Sequence, residues 1–202
     1  MQNNYKNLLN AYEGAYPNTD THYDIGTIQP CVVRIFNKLT SPILDIGCGD
    51  GALVRELAKQ GHNIIGIDYA KSACVLSTDK TKPYGNARII QGDFFDYSFK
   101  CKFKSIIDIG MIHNYSSSYY KVYIKKLFNL LHYTGIAHIF VCVNYSRSDE
   151  SSNKKIVHPF NINLFKEIAC IHFTQIEKKN IVFLIKGRKT VKGFHIKLSN
   201  TV

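Results

Sequence analysis

Three carboxylates each stand at the end of a short apolar run: Asp45 in Pro42-Ile-Leu-Asp-Ile, Asp68 in Ile64-Ile-Gly-Ile-Asp, and Asp93 in Gln91-Gly-Asp-Phe. The first is followed at once by Gly47, Cys48, Gly49 and Gly51, and then by the helical pattern Ala52-Leu-Val-Arg-Glu-Leu-Ala. Glycines so spaced are needed where the backbone takes positive φ or lets a ligand approach closely. A helix start beyond them offers free N–H groups and a partial positive charge, so an anion-bearing ligand is expected at this turn. Asp68 has the place of the acid that accepts from ribose hydroxyls in nucleotide-binding sheets, about 20 residues past a glycine fingerprint. Its alternative role is the N-cap of a helix from Ala70. Asp93 is suited to accept from an exocyclic amine while Phe94 walls a purine face, against the plainer reading of a Gly-Asp turn.

The elements that must position these acids alternate. The patterns predict strand 43–46, helix 51–60, strand 63–68, helix 70–77, strand 87–91, strand 105–109, helix 117–131 and strand 136–143. Short apolar strands separated by helical segments predict βαβ units and an α/β fold with a mostly parallel sheet. A helix over 161–168 follows, then strands 170–176 and 181–185 joined by Glu177-Lys-Lys-Asn, a link too short for a crossover, so those two strands must pair antiparallel. Ahead of the first strand, 2–16 and 28–38 read as helices flanking the loop His22-Tyr-Asp-Ile-Gly.

Bulk properties exclude several classes. The 202 residues, 45% hydrophobic and 20% charged, suit one domain with a continuous core. No signal-peptide pattern or membrane-length apolar run occurs, so a cytoplasmic, non-membrane protein is expected. The six cysteines show no C-x-x-C and read as reduced core thiols, and no His/Cys cluster has metal-ligand spacing. Net charge is +11, and past Glu177 there are seven Lys or Arg and no acid. Residues 188–202 are therefore expected to form a basic tail, a solvated terminus rather than a holder of nucleic acid.

With these residues in view, the chain resembles the class I S-adenosylmethionine-dependent methyltransferases. Leu44-Asp-Ile-Gly-Cys-Gly-Asp-Gly resembles their first motif, Gly66-Ile-Asp their second-strand acid, and Gly92-Asp their adenine-side motif. His22-Tyr-Asp-Ile-Gly together with Ile107-Asp-Ile-Gly-Met-Ile-His is similar to the small-molecule branch of thiopurine, thiol, halide and tellurite methyltransferases; Tyr23 stands where those relatives carry tryptophan. The resemblance implies a doubly wound, Rossmann-like, mostly parallel seven-stranded sheet with a C-terminal antiparallel hairpin. It divides the single domain into a helical lid (1–41), the core (42–187) and the tail. It implies S-adenosyl-L-methionine as cofactor, bordered by Tyr23, Asp45, Gly47, Cys48, Gly49, Asp68, Tyr69, Asp93 and Phe94 and by the backbone of Asp108, Ile109 and Gly110. A dinucleotide fits less well, because Ala52 occupies the place of the third glycine in its fingerprint.

Transfer from a sulfonium needs mainly alignment, and a base only for an acceptor of high pKa. His113, just past the fourth strand, is the candidate acceptor-side group, as proton carrier or as a pocket-shaping hydrogen-bond partner. The expected function is methylation of a small-molecule acceptor through a sulfur, nitrogen or oxygen atom. The alternatives are an RNA- or protein-directed methyltransferase using the basic tail, and a non-catalytic sensor of the cofactor.

Overall fold

Strand β1 (Ile43–Ile46) is buried at all four positions, as a central parallel strand covered on both faces must be. In the computed structural model, which describes residues 27–143, 146–149, 154–157, 159–185 and 189–200, β1 pairs in parallel with β2 (Ile64–Asp68) on one side and β4 (Phe103–Ile109) on the other. β3 (Ala87–Gln91) lies outside β2, and β5 (Leu131–Cys142) runs parallel beside β4. Two further strands, β8 (Gln175–Ile185) and β9 (Lys189–Ser199), complete one seven-stranded sheet in the order β3-β2-β1-β4-β5-β9-β8, with β9 antiparallel to both neighbours. This is the expected doubly wound architecture with its antiparallel C-terminal hairpin. A separate two-stranded ribbon, β6 (Ser146–Asp149) with β7 (Lys154–Val157), follows β5.

Alternation along the strands divides the core. Ile43, Ile64 and Ile107 face a cluster closed by α1 (Pro30–Val33) and α2 (Ala52–Lys59), while Leu44, Ile67 and Ile106 face α4 (Tyr120–Leu130) and α5 (Ile162–Ala169). The stripe Leu53, Val54, Leu57 and Ala58 on α2, and Tyr120, Tyr123, Ile124 and Leu127 on α4, are the helical-period faces that cover it.

Several boundaries differ from those expected. The single helix over 28–38 is replaced by α1 and a separate 3-10 turn at Phe36–Lys38. Helix α3 (Lys71–Thr81) runs past 77 through its polar residues, because Ser77 and Thr81 donate back to the carbonyls of Cys74 and Ser77 at 3.1 and 2.7 Å and are buried. Before α4, Ser117–Tyr119 form a 3-10 turn. The expected turn at 133–135 lies within β5.

The largest correction is at the C-terminus. Residues 175–185 are one strand, not two joined at 177–180, and the supposed basic tail is β9 itself, seated between β5 and β8. The charges expected to break the strand are accommodated across it: Glu177 is the register partner of Lys197 and accepts its ammonium at 2.7 Å, and Lys178 lies 4.4 Å from the centre of the Phe194 ring. Four of the six cysteines are buried thiols as expected, but Cys101 and Cys170 are exposed. Among the described residues no helix is long and apolar enough to cross a membrane.

Because β9 is interior, Gly193 meets close neighbours: an added Cβ would lie 2.5 Å from the Phe183 ring and 2.5 Å from the Val141 carbonyl oxygen. Gly193→Ala should therefore cost about 1–3 kcal/mol of stability through overpacking. A urea-denaturation midpoint equal to that of the parent would contradict this placement of the strand.

Candidate active site

The turn after β1 is held by positive φ at Gly47 (68°), Gly49 (55°) and Gly51 (77°), conformations that cost side-chain-bearing residues dearly. Its amides point inward. Gly47 and Cys48 donate to the Ile67 carbonyl at 2.8 and 3.1 Å, Gly49 to Asp68 Oδ2 at 2.9 Å, and Gly51 to the Cys48 carbonyl at 3.0 Å. Ala52 at the helix start donates to Asp50 Oδ1 at 3.2 Å. These five donors are engaged within the protein and are not held open for an anion. The Cys48 thiol is buried and held well above its ordinary pKa, first by burial and then by the charges of Asp45 and Asp68, so it is an inert packing group.

What lies around the turn is negative charge. Asp45 is 2% exposed, and burial, followed by the charges of Asp108, Asp68 and Asp50, pushes its carboxyl up to about 8. Asp68 is likewise buried; besides receiving Gly49, it accepts the Ala70 amide on Oδ1 at 2.9 Å, but helix α3 starts at Lys71 with Ala70 at its N-cap and no capping side chain, so this contact is not the helix cap weighed for it. Tyr69, beside it, is half-buried.

Asp108 anchors the loop after β4. Its Oδ1 accepts from Met111 N at 2.6 Å, and its Oδ2 accepts from Ile112 N at 3.1 Å and from the Tyr123 hydroxyl at 2.6 Å. Burial raises its pKa to about 6 while these hydrogen bonds oppose the rise. Ile109 and Gly110, half-buried, follow at the strand end. The 3-10 turn Ile112–Asn114 then brings the His113 ring over Gly110. His113 Nδ1 accepts the Cys142 amide at 3.2 Å, and burial lowers the ring's pKa to about 4, so the imidazole is neutral near pH 7. With Nδ1 accepting, the ring proton belongs on Nε2, where the group is a donor rather than a base.

Asp93 is half-buried and folds its own loop, accepting the Phe95 amide on Oδ1 at 2.7 Å. Phe94 departs from expectation: it is 5% exposed and packs edge-on against Phe95 and Tyr123, with centroids 5.6 and 5.9 Å away, as a core residue rather than an open wall. Tyr23 lies outside the described residues. Two positioning side chains escaped sequence reading. Tyr123 was legible as one of the aromatics at the start of the helix, core or pocket wall, but not as the partner of Asp108, and Lys126 gave no signal. Its ammonium donates to the carbonyls of Phe95 and Tyr97 at 2.9 and 2.8 Å, tying the Asp93 loop to α4. At the same carboxyl-end rim an open cleft of about 470 Å³ is lined by Tyr115, Ser116, Ser117, Pro159, Phe160 and Asn161.

Residues 43–135 match the family model described as a methyltransferase domain. An uncharacterized methyltransferase of Schizosaccharomyces pombe is 34% identical over 97 residues, covering 47% of this chain and 67% of that protein. The 2-heptyl-1-hydroxyquinolin-4(1H)-one methyltransferase of Mycobacteroides abscessus is 27% identical over 125 residues, 54% of this chain and 53% of its own. Among solved structures, the 1,6-didemethyltoxoflavin-N1-methyltransferase of Burkholderia thailandensis, with 1,6-didemethyltoxoflavin and S-adenosylhomocysteine bound, superposes with a TM-score of 0.75 at 15% identity, over 98% of this chain and 89% of that one.

The raised pKa of Asp45 carries a sign. An acid whose folded pKa lies above its unfolded value stabilises fully below about pH 4 and loses that contribution as pH climbs through about 8. Asp108 adds the same sign between about 4 and 6. Asp45→Asn should therefore match the parent near pH 4 but be the more stable protein at pH 8, by roughly 1 kcal/mol or more. Melting temperatures across that range test it, and a constant difference between the two proteins would refute the assignment.

Proposed function

The chain belongs to the class I S-adenosylmethionine-dependent methyltransferases, and from that membership we propose that it methylates a small-molecule acceptor held at the carboxyl-end rim of the sheet. The observation that carries the acceptor reading is the rim cleft: its volume, about 470 Å³, is in the range of small-molecule sites. The relatives add support, since the Mycobacteroides and Burkholderia proteins are named for heteroaromatic acceptors. The basic segment is strand β9 rather than a free tail, so an RNA- or protein-directed reading would have to use lysines on the face of the sheet, such as the exposed Lys178, Lys179 and Lys192.

The acidic surround fits the cofactor. Asp108 and Asp68 oppose the ionisation of buried Asp45, and a ligand bearing an ammonium and a sulfonium offsets that repulsion where a pyrophosphate would worsen it. In this reading Asp45 faces the methionine amino end, and Gly47, Cys48 and Gly49 border it. Asp68 receives the ribose hydroxyls, with Tyr69 alongside. Asp93 takes the adenine amine, and the backbone of Asp108, Ile109 and Gly110 closes the pocket. When bound, S-adenosylmethionine supplies a methyl group already activated by positive charge. The chain's own task is alignment and exclusion of water, worth roughly 7–11 kcal/mol when complete. His113 contributes as a fixed hydrogen-bond donor: its Nδ1 is committed to Cys142, and it stays neutral throughout the physiological range.

Two measurements test this. Asp68→Ala should weaken S-adenosylhomocysteine in calorimetry by at least about tenfold, or 1.4 kcal/mol; unchanged affinity would remove Asp68 from the site. In a screen of phenols, thiols and amines for S-adenosylhomocysteine release, the parent should turn over at least one compound. Its pH–rate profile should show no inflection from His113 between pH 6 and 9. Cofactor binding with no turnover of any acceptor would favour the sensor.

A further inference from the structure

One buried acceptor near the rim cleft has no donor. Asn114 ends the 3-10 turn that carries His113, and its amide nitrogen donates to the Gly110 and Met111 carbonyls at 2.6 and 3.3 Å. Those two acceptors fix the orientation of the amide, because a flipped group would set its oxygen against both carbonyls. The oxygen, Asn114 Oδ1, is then buried with no hydrogen-bond partner among the described residues. Such an atom calls for an explanation, because an unmade buried hydrogen bond is a standing cost.

The adjoining cleft indicates what would complete it. Tyr115, the next residue, lines it, and none of the six lining residues carries a charge. Its aromatic walls are pre-set. Tyr115 is braced by Phe95 and Tyr119 at 5.1 and 5.0 Å, and Phe160 by Tyr120 and Phe165 at 5.1 and 5.2 Å. Two polar groups of the lining are engaged within the protein, Ser116 Oγ with Ser118 Oγ at 2.6 Å and Asn161 Oδ1 with the Leu164 amide at 3.1 Å. A flat, uncharged ligand suits walls of this kind, and a single N–H or O–H on it would meet the orphan oxygen.

We propose that Asn114 Oδ1 is the specificity contact of the acceptor site, receiving an N–H or O–H from a neutral planar aromatic acceptor seated between Tyr115 and Phe160. This rests on the methyltransferase reading and narrows it to a substrate class. Asn114 is not itself in the cleft lining, so the contact requires its oxygen, buried in the free chain, to be uncovered as the ligand enters.

Calorimetry on the full chain saturated with S-adenosylhomocysteine tests it, with 4-hydroxyquinoline as the donor-bearing probe and 4-methoxyquinoline as its donor-free counterpart. The parent should bind 4-hydroxyquinoline about tenfold more tightly than 4-methoxyquinoline, as one hydrogen bond onto an otherwise unmet acceptor implies. Asn114→Ala should lose that preference while keeping its affinity for S-adenosylhomocysteine within twofold. Should the variant not fold, the comparison of the two probes on the parent stands by itself. Equal binding of the probes, no binding of either, or a preference that survives Asn114→Ala would overturn the proposal. Failure of S-adenosylhomocysteine itself to bind would instead bring down the methyltransferase reading on which it rests.

Discussion

The hydrogen bond from the Gly49 amide to Asp68 Oδ2 is the constraint on which the rest of the site depends. It joins the turn after β1 to the end of β2, and the amides of Gly47 and Cys48 reinforce it by donating to the Ile67 carbonyl. Only left-handed backbone at alternate positions brings all three donors round to one strand end, which is why the glycines are where they are. The same turn sets the packing behind it. An added Cβ on Gly51 would come within 2.6 Å of Ser77 Cβ, so α3 must present a small residue there and can then lie close against the turn.

Spending the turn amides inside the protein changes the electrostatics of the site. A phosphate cradle keeps such donors for its ligand and draws in negative charge. Here they are consumed, and the strand ends instead gather carboxyl groups: burial, and after it repulsion from neighbouring carboxylates, raises Asp45 to about 8, and burial raises Asp108 to about 6. The ligand favoured by that field is cationic. The stability of the free protein and its affinity for such a ligand therefore draw on the same repulsion: what destabilises Asp45 in the empty site is what a bound positive charge relieves.

Much of this was legible in the residues, and the parts that were not share a physical cause. The βαβ order, the parallel strands and the places of Asp45, Asp68, Asp93 and Asp108 at strand ends follow from local patterns: apolar runs of strand length, glycine turns and helical stripes. β9 was missed because its alternation of Phe194, Ile196 and Leu198 is interleaved with Lys192, His195 and Lys197, and those charges read as solvated when their cross-strand partners are unseen. Glu177 opposite Lys197 and Phe194 beneath Lys178 turn a basic terminus into an interior strand. The net charge of +11 accordingly said less about a polyanionic partner than its sum suggested. At the site, Phe94 had the right type and position for a ligand wall, but pairwise ring packing with Tyr123 and Phe95 claimed it for the core. Lys126 lies 33 positions beyond Asp93 in the chain, and only the fold brings its ammonium onto that loop's carbonyls.

The two sides of the pocket are built on different principles. On the side proposed for the cofactor, backbone and carboxylates are locked by hydrogen bonds to neighbouring strands. On the side proposed for the acceptor, the loop from Gly110 to Tyr119 is anchored by the buried carboxylate of Asp108, which takes Met111, Ile112 and the Tyr123 hydroxyl, and by two bonds to β5, from Gly110 N to the Phe140 carbonyl and from Cys142 N to His113. Everything beyond those anchors is 3-10 turn and braced aromatic rings. Rings fixed against one another supply flat contact area at small entropic cost, while turns without a ladder can exchange residues without disturbing the sheet. Tyr123 is thus the hinge between the two: its hydroxyl holds the acceptor loop through Asp108, and its ring holds Phe94 beneath the Asp93 loop. Movement of either loop is felt at that one buried side chain.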